Sequence, residues 1–107
     1  VSYIKKAFPN WSKEAEISCE IDPRFFNEDQ MKVFKKHGFN RISFGVQDFD
    51  PKVQQEIHRI QPYDLTKAAV DLARKYGINS INVDLIYGLP YQTFESFKKT
   101  LSEAFTL

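Results

Sequence analysis

Three short segments of the chain alternate apolar and polar residues with a period of two, as β-strands with two different faces do. They cover residues 16–22, 41–47 and 80–86. The segments between and after them carry apolar residues three or four positions apart, which is typical of amphipathic helices. Strands that alternate with helices predict right-handed βαβ units and a parallel sheet, so the expected fold class is α/β.

The first two predicted helices are identified by their end signals. Asn27 is placed to cap one helix, which ends at Gly38, a residue that readily adopts a left-handed conformation. Asp50 and Pro51 begin a second, short helix, with the carboxylate at the cap and proline at the first helical position. These start and stop signals support the predicted alternation of strands and helices.

Two further helices are predicted from their apolar stripes. One begins at Asp64 and ends at Gly77, and the other begins at about Thr93. The inward-facing residues expected on them are Leu65, Ala68, Ala69, Leu72 and Tyr76 on the first, and Phe97, Leu101, Ala104 and Phe105 on the second.

The length of the chain limits how much of a barrel it can form. A complete eight-stranded (β/α) barrel needs roughly 250 residues, whereas this chain has 107. We therefore expect three consecutive βα units of a parallel, open TIM-like (β/α) barrel. Because the sequence begins at Val1 rather than methionine and stops within a helical pattern, we expect residues 1–107 to be a single partial domain, the central fragment of a longer protein.

The two faces of the predicted strands differ in polarity. Parallel strands are usually buried on both faces and read as continuous apolar runs, but each of these strands has one polar face. The apolar positions are Ile17, Cys19, Ile21, Ile42, Phe44, Val46, Ile81, Val83 and Leu85, and the polar positions are Ser18, Glu20, Ser43, Gly45, Gln47, Asn82 and Asp84.

The polar face is the candidate ligand-binding surface. If helices cover the apolar face, the polar face lines a shared interior, and Glu20, Gln47 and Asp84 lie near the carboxyl ends of the strands, where α/β enzymes bind ligands. Two carboxylates directed into one cavity need donors from a ligand, from water or from basic side chains such as Arg59. The alternative is a solvent-exposed polar face in a small α+β domain. Arg24, just after the first strand, is equally compatible with an anion clamp and with a rim charge.

Composition narrows the range of partners and compartments. Fifteen Lys and Arg against fourteen Asp and Glu give a formal charge of +1, without a basic run, so nucleic acid is not expected as the main partner. No apolar segment approaches the roughly 18 residues of a membrane span. The single cysteine, Cys19, excludes an internal disulfide or an all-cysteine metal site within this chain, and its position favours core packing. We expect a cytoplasmic protein.

Four linked motifs resemble one enzyme family. They are EIDPR at 20–24, GVQDF at 45–49, VQ at 53–54 with HRIQ at 58–61, and DLIYGLP at 84–90. In order and spacing, from about residue 16 to residue 101, they resemble the oxygen-independent coproporphyrinogen III oxidases (coproporphyrinogen dehydrogenases), which are radical S-adenosylmethionine enzymes of haem (porphyrin) biosynthesis.

The resemblance implies a fold, cofactors and a reaction. It implies a catalytic barrel that holds a 4Fe–4S iron–sulfur cluster and two molecules of S-adenosyl-L-methionine (SAM) at the carboxyl ends of its strands. The SAM-derived radical removes a hydrogen atom from a propionate side chain, and loss of carbon dioxide and of one electron to an acceptor leaves a vinyl group. Two such steps convert coproporphyrinogen III into protoporphyrinogen IX, and no side chain of this chain is expected to be catalytic, since the cofactor performs the difficult chemistry.

The resemblance also assigns cofactor-binding residues. Glu20 matches the family carboxylate that contacts the first SAM, and Gln47, Arg59 and Asp84 match positions that contact the second. A carboxylate suits ribose hydroxyls or an α-ammonium group, and an arginine suits the methionine carboxylate. The strand pattern independently selects Glu20, Gln47 and Asp84, whereas Arg59 is assigned to the cofactor only by the resemblance.

The sequence departs from the family at the cluster. The family holds its cluster with an upstream Cys-x-x-x-Cys-x-x-Cys loop, and this chain contains only Cys19. No metal ligand is therefore expected in these residues, and the 107-residue polypeptide alone is expected to be inactive. An isolated piece of a sheet with two unpaired edges is also expected to self-associate or to be marginally stable.

Two other functions fit the same sequence. A related haem chaperone shares the barrel but binds and delivers haem; the segment Asp22-Pro23-Arg24, Asp48 and Arg59 favour the oxidase over it. A non-catalytic interaction module is supported only by the missing cysteines. Fold alone does not decide among the three.

Overall fold

The computed structural model describes all 107 residues and contains a three-stranded parallel sheet in the order β1-β2-β3. The strands are β1 (Ser18–Ile21), β2 (Arg41–Gln47) and β3 (Ser80–Leu85). β2 has its predicted bounds, whereas β1 is shorter than predicted. Before β1, the Asn40 side chain replaces strand pairing, because its Oδ1 accepts from the Ile17 N–H at 2.8 Å and its Nδ2 donates to the Ala15 carbonyl at 2.9 Å.

Five α-helices accompany the sheet. They are α1 (Ser2–Ala7), α2 (Glu28–Lys36), α3 (Pro51–Glu56), α4 (Tyr63–Lys75) and α5 (Phe94–Ala104), and a 3₁₀ turn covers Pro23–Phe25. End signals and apolar stripes did not predict α1, which is six residues long and buries no residue. None of the helices is long and apolar enough to cross a membrane.

The predicted helix caps are present. Asn27 Oδ1 accepts from the Gln30 N–H at 3.0 Å while the Gln30 side chain accepts from the Asn27 N–H at 3.1 Å, which forms a capping box. Asp50 Oδ1 accepts from the N–H groups of Lys52 and Val53 at 2.9 and 3.2 Å. Cap chemistry therefore fixes where α2 and α3 begin.

Three of the five residues predicted to face inward on α4 do so, and two do not. The helix begins at Tyr63, and its buried residues are Thr66, Ala69, Val70 and Ala73. Leu65 and Ala68 are exposed in a shallow surface groove beside Pro23. Ala69 is buried as predicted, and Leu72 and Tyr76 pack at the margin of the core, also as predicted; Ala73, which was not predicted, is fully buried as well.

The apolar face predicted for α5 is also largely wrong. Only Thr100 is buried in this helix. Phe97 and Ala104 are half-buried, whereas Leu101 and Phe105 are exposed. The cause is a polar contact: Thr100 Oγ1 donates to the buried Asp48 carboxylate at 2.8 Å, which fixes the rotation of the helix against the end of β2.

The core lies on the predicted apolar face of the sheet. Ile42, Phe44 and Val46 of β2 are fully buried and cluster with residues of α2 and α4, among them Met31 and Val70. The polar face has no such cover in this chain. Glu20 and Asp84 are therefore exposed, whereas the strand pattern predicts that they line a shared interior, and Ser43, Gln47 and Asn82 are only half-buried.

Candidate cofactor-binding site

Three of the four predicted site residues meet above Gly45. A β-carbon at Gly45 would lie 3.1 Å from Arg59 Nη2, 3.2 Å from Gln47 Nε2 and 3.8 Å from Glu20 Oε1. Gly45 is itself buried, in the central strand of the sheet. The absence of a side chain there gives the three polar groups a common space to enter.

The fourth residue, Asp84, lies beside this point. It is the register partner of Gly45 in the β2–β3 pairing. Ser43 Oγ donates to Asp84 Oδ2 at 2.6 Å, and Asn82 Nδ2 donates to Asp84 Oδ1 at 2.8 Å and to Ser43 Oγ at 3.0 Å. The polar face thus orients the Asp84 carboxylate with its own side chains, while leaving it accessible to a ligand.

Gln47 reaches the site through an irregularity at the end of β2. The β2–β3 register shifts between Gly45 and Gln47, so that Gln47 pairs with Leu85. Gln47 has a φ of 69°, a left-handed conformation that costs a residue other than glycine about 1–2 kcal/mol. Its carbonyl accepts from the Ile86 N–H at 2.9 Å. Backbone strain of this kind clusters at functional sites.

Arg59 comes to the same place from the turn after α3. Its N–H donates to the Gln54 carbonyl at 2.8 Å, and its Nη2 donates to the Gly45 carbonyl at 2.8 Å. The preceding residue, His58, has a φ of 53°. The Nε of Arg59 is buried and has no hydrogen-bond partner. Strand periodicity could not find Arg59, because a tight turn rather than a strand carries it.

Asp22, Arg24 and Arg59 form a charged cluster next to the site. Arg24 donates to Asp22 through Nε at 3.0 and 3.1 Å and through Nη2 at 2.6 Å, so it pairs with a side chain rather than standing free. Arg59 Nη2 lies 3.4 Å from Asp22 Oδ2. The Arg24 hydrogen bonds, opposed by burial and helped by the Arg59 charge, hold the pKa of Asp22 below its usual value. Asp22 therefore pairs with both guanidinium groups, and Arg59 is the basic side chain that reaches the space above Gly45.

Sequence reasoning missed a group of buried polar residues behind the site. They are Asp48, Gln54, Gln61 and Thr100, none of them more than 3% exposed. Hydrophobic periodicity gives little signal for these residues, because it identifies buried positions by their apolar side chains. The family motifs contain Asp48, Gln54 and Gln61, but no buried structural role for these residues follows from the motifs.

The residues present fit SAM but do not fit an iron–sulfur cluster. The glycine cradle, the unsatisfied Arg59 Nε and the flanking carboxylates suit a polar zwitterionic ligand. Cys19 packs against the core, as predicted, and burial raises the pKa of its thiol. No group of three or more histidine, cysteine, aspartate or glutamate residues is placed to hold a metal ion.

Comparison with known proteins defines the class to which this fold and site correspond. Residues 3–104 match the model of the radical SAM superfamily. The chain belongs to that superfamily.

Individual relatives are more specific. The chain is 61% identical over 98 residues to the oxygen-independent coproporphyrinogen III oxidase of Helicobacter pylori (strain ATCC 700392 / 26695), covering 92% of this chain and 21% of the relative. It is 48% identical over 96 residues to the protein of the same name from Thermostichus vulcanus, covering 90% of this chain and 30% of the relative. These matches confirm the resemblance carried by the four motifs.

A solved structure agrees with the fold. The coproporphyrinogen III oxidase of Escherichia coli, described as a radical SAM enzyme, matches with a TM-score of 0.85 at 42% identity, over 96% of this chain and 24% of that chain. This match confirms the predicted fold of three consecutive βα units of a TIM-like barrel. The chain spans less than a third of the length of each of these relatives.

Proposed function

We propose that this chain is part of an oxygen-independent coproporphyrinogen III oxidase of haem biosynthesis. The longer protein, called the parent protein below, would oxidatively decarboxylate two propionates of coproporphyrinogen III to the vinyl groups of protoporphyrinogen IX. The observation that carries the proposal is the convergence of Glu20, Gln47 and Arg59 above Gly45, with Asp84 beside them. Relatives that carry the oxidase name support the choice of reaction.

The four side chains offer complementary groups for SAM. Glu20 and Asp84 accept hydrogen bonds from ribose hydroxyls or from an α-ammonium group, and Gln47 can both donate and accept. Arg59 carries the positive charge that pairs with a methionine carboxylate. We assign Glu20 to a first SAM molecule and Gln47, Arg59 and Asp84 to a second, following the family resemblance.

The chain contributes binding and orientation rather than proton transfer. When bound and reductively cleaved, SAM supplies the hydrogen-abstracting chemistry. Asp84, held by Ser43 and Asn82, and Arg59, held on the Gly45 carbonyl, would fix the orientation of the cofactor. The sheet beneath them excludes water from one side.

The cluster requires residues beyond these 107. Since Cys19 is the sole cysteine and packs in the core, the thiolate ligands would come from elsewhere in the parent protein. We therefore propose that residues 1–107 form a central part of the catalytic barrel, inactive alone, in a cytoplasmic enzyme. The outer edges of β1 and β3, unpaired in this chain, would make the isolated polypeptide self-associate.

Anaerobic turnover by the parent protein tests the proposed function. The protein is reconstituted with iron and sulfide and given SAM, a reductant and coproporphyrinogen III. We expect release of carbon dioxide and protoporphyrinogen IX, and neither product when SAM is omitted. Tight haem binding without decarboxylation would indicate the haem chaperone instead, and the absence of both activities would indicate an interaction module.

A further inference from the structure

Two buried glutamines lie directly behind the candidate site. Gln54 is 3% exposed and Gln61 is fully buried. Burial of an amide is unfavourable unless its hydrogen bonds are made inside the protein. The two side chains donate four hydrogen bonds to backbone carbonyls and accept one from a backbone N–H. All five bonds therefore constrain the path of the backbone.

Gln61 holds the end of β2 at its irregularity. Its Nε2 donates to the carbonyl of Gly45 at 3.3 Å and to the carbonyl of Val46. These carbonyls immediately precede Gln47, whose side chain enters the site from a left-handed backbone. A donor at this position favours the bulged backbone that turns Gln47 toward the ligand face.

Gln54 links that strand end to the turn that carries Arg59. Its Nε2 donates to the carbonyls of Asp48 at 2.9 Å and Gln61 at 2.8 Å, and its Oε1 accepts from the Gln61 N–H at 3.1 Å. Its own carbonyl accepts from the Arg59 N–H at 2.8 Å. One residue therefore contacts the backbone on both sides of the site.

We propose that Gln54 and Gln61 are positioning residues, which set the relative placement of Gln47 and Arg59 through the backbone and do not touch the ligand. This inference rests on the proposed function in that SAM is taken as the ligand. Loss of either amide is expected to lower the affinity for SAM without removing a contact to SAM.

The hydrogen bonds of Gln61 show why a positioning role can be tested separately from structural support. The Gly45 carbonyl also accepts from Arg59 Nη2 at 2.8 Å, and the Val46 carbonyl also accepts from the Asp48 N–H at 2.9 Å. The Oε1 of Gln61 has no partner. Removing the Gln61 amide therefore leaves both carbonyls with another donor, so the substitution Gln61→Met is expected to preserve the fold.

The test compares Gln61→Met and Gln54→Met with Gln55→Met in the reconstituted parent protein. Gln55 follows Gln54 on α3, is exposed, and its side chain makes no hydrogen bond within the chain, so it is a matched control. Equilibrium dialysis measures SAM binding, and turnover gives KM for SAM and kcat separately. Iron content and the thermal midpoint report folding.

We expect Gln61→Met to raise the dissociation constant and KM for SAM about fivefold, the effect of roughly one hydrogen bond, with kcat at saturating SAM and iron content unchanged. Gln54→Met should act in the same direction, and Gln55→Met should match the wild type. Unchanged SAM affinity in folded, iron-replete Gln61→Met overturns the inference, and so does a Gln61→Met protein that no longer folds, since the role is then structural.

The proposed function and this inference can fail separately. A wild-type parent protein that binds SAM but does not decarboxylate coproporphyrinogen III refutes the proposed reaction, and dialysis then still decides the role of the glutamines. A wild-type parent protein that binds no SAM refutes both.

Discussion

The guanidinium of Arg59 lies directly against the backbone of Gly45. Its Nη2 donates to the Gly45 carbonyl at 2.8 Å and would lie 3.1 Å from a β-carbon at that position. A distance of 3.1 Å is shorter than ordinary van der Waals contact, so any side chain at position 45 must displace this nitrogen. The glycine thus determines where the positive charge of the site can lie.

Gly45→Ala is expected to weaken SAM binding in the parent protein while changing its stability little. The added methyl group would press on the flexible ends of Arg59 and Gln47 rather than on backbone. We expect the dissociation constant for SAM to rise about tenfold, or about 1.4 kcal/mol, measured by equilibrium dialysis. The control is Ser18→Ala, at the start of β1 on the same polar face and away from Gly45. Wild-type affinity for SAM in the Gly45→Ala protein would contradict the role given to this glycine.

Gln47→Ala and Asp84→Ala are expected to lower SAM affinity and to leave the cluster intact. Both side chains lie on the polar face, and neither is placed to hold a metal ion. Dialysis with SAM and iron analysis of the reconstituted parent protein measure the two effects separately. If either variant lost its iron with the SAM affinity of the remaining holoenzyme unchanged, the residue would serve folding or cluster assembly instead.

Ile42→Asp is expected to unfold the barrel. Ile42 is fully buried in the core on the apolar face of β2, and an unpaired charge there costs more than about 3 kcal/mol. Solubility and the thermal midpoint of the parent protein are the measurements. Ser18→Asp, on the exposed polar face, should be tolerated, and a soluble, active Ile42→Asp protein would mean that the two faces are assigned the wrong way round.

The Asp22–Arg24 pair predicts a specific loss of stability in acid. The pKa of Asp22 is lower in the folded protein than in the unfolded chain, so its contribution is fully present above the usual aspartate pKa of about 3.9 and is lost as the pH falls through the lower, folded value. Urea unfolding of the metal-free parent protein should show Asp22→Asn less stable than the wild type at pH 7, with the difference shrinking below about pH 4. A difference independent of pH would contradict this.

Strand alternation predicted the sheet well because it depends on local pattern. The bounds of β2 and the apolar positions Ile42, Phe44 and Val46 follow from period two alone, and all three residues are fully buried. The rotation of α4 and α5 could not be obtained in this way. The contact of Thr100 with Asp48 decides which side of α5 turns inward, and on α4 the buried side includes Thr66, Val70 and Ala73, which the apolar stripe did not predict.

The candidate site was predictable where strands carry it and not where turns do. Glu20, Gln47 and Asp84 stand at strand ends and follow from the alternation. The position of Arg59 depends on the left-handed residue before it and on one backbone hydrogen bond to Gln54, and periodicity reports neither. The exposure of Glu20 and Asp84 was not expected, because the interior that the pattern predicted is not covered by any part of these 107 residues.

The claim that the polar groups above Gly45 hold SAM is tested most directly by Arg59→Met in the parent protein, with its neighbour His58→Asn as control. Asparagine tolerates the left-handed backbone of position 58. The measurement is carbon dioxide release from coproporphyrinogen III as a function of SAM concentration. The account predicts that KM for SAM rises at least about tenfold in Arg59→Met, the loss of a charge-assisted hydrogen bond, and stays at the wild-type value in His58→Asn. An unchanged KM in an iron-replete Arg59→Met protein would contradict it.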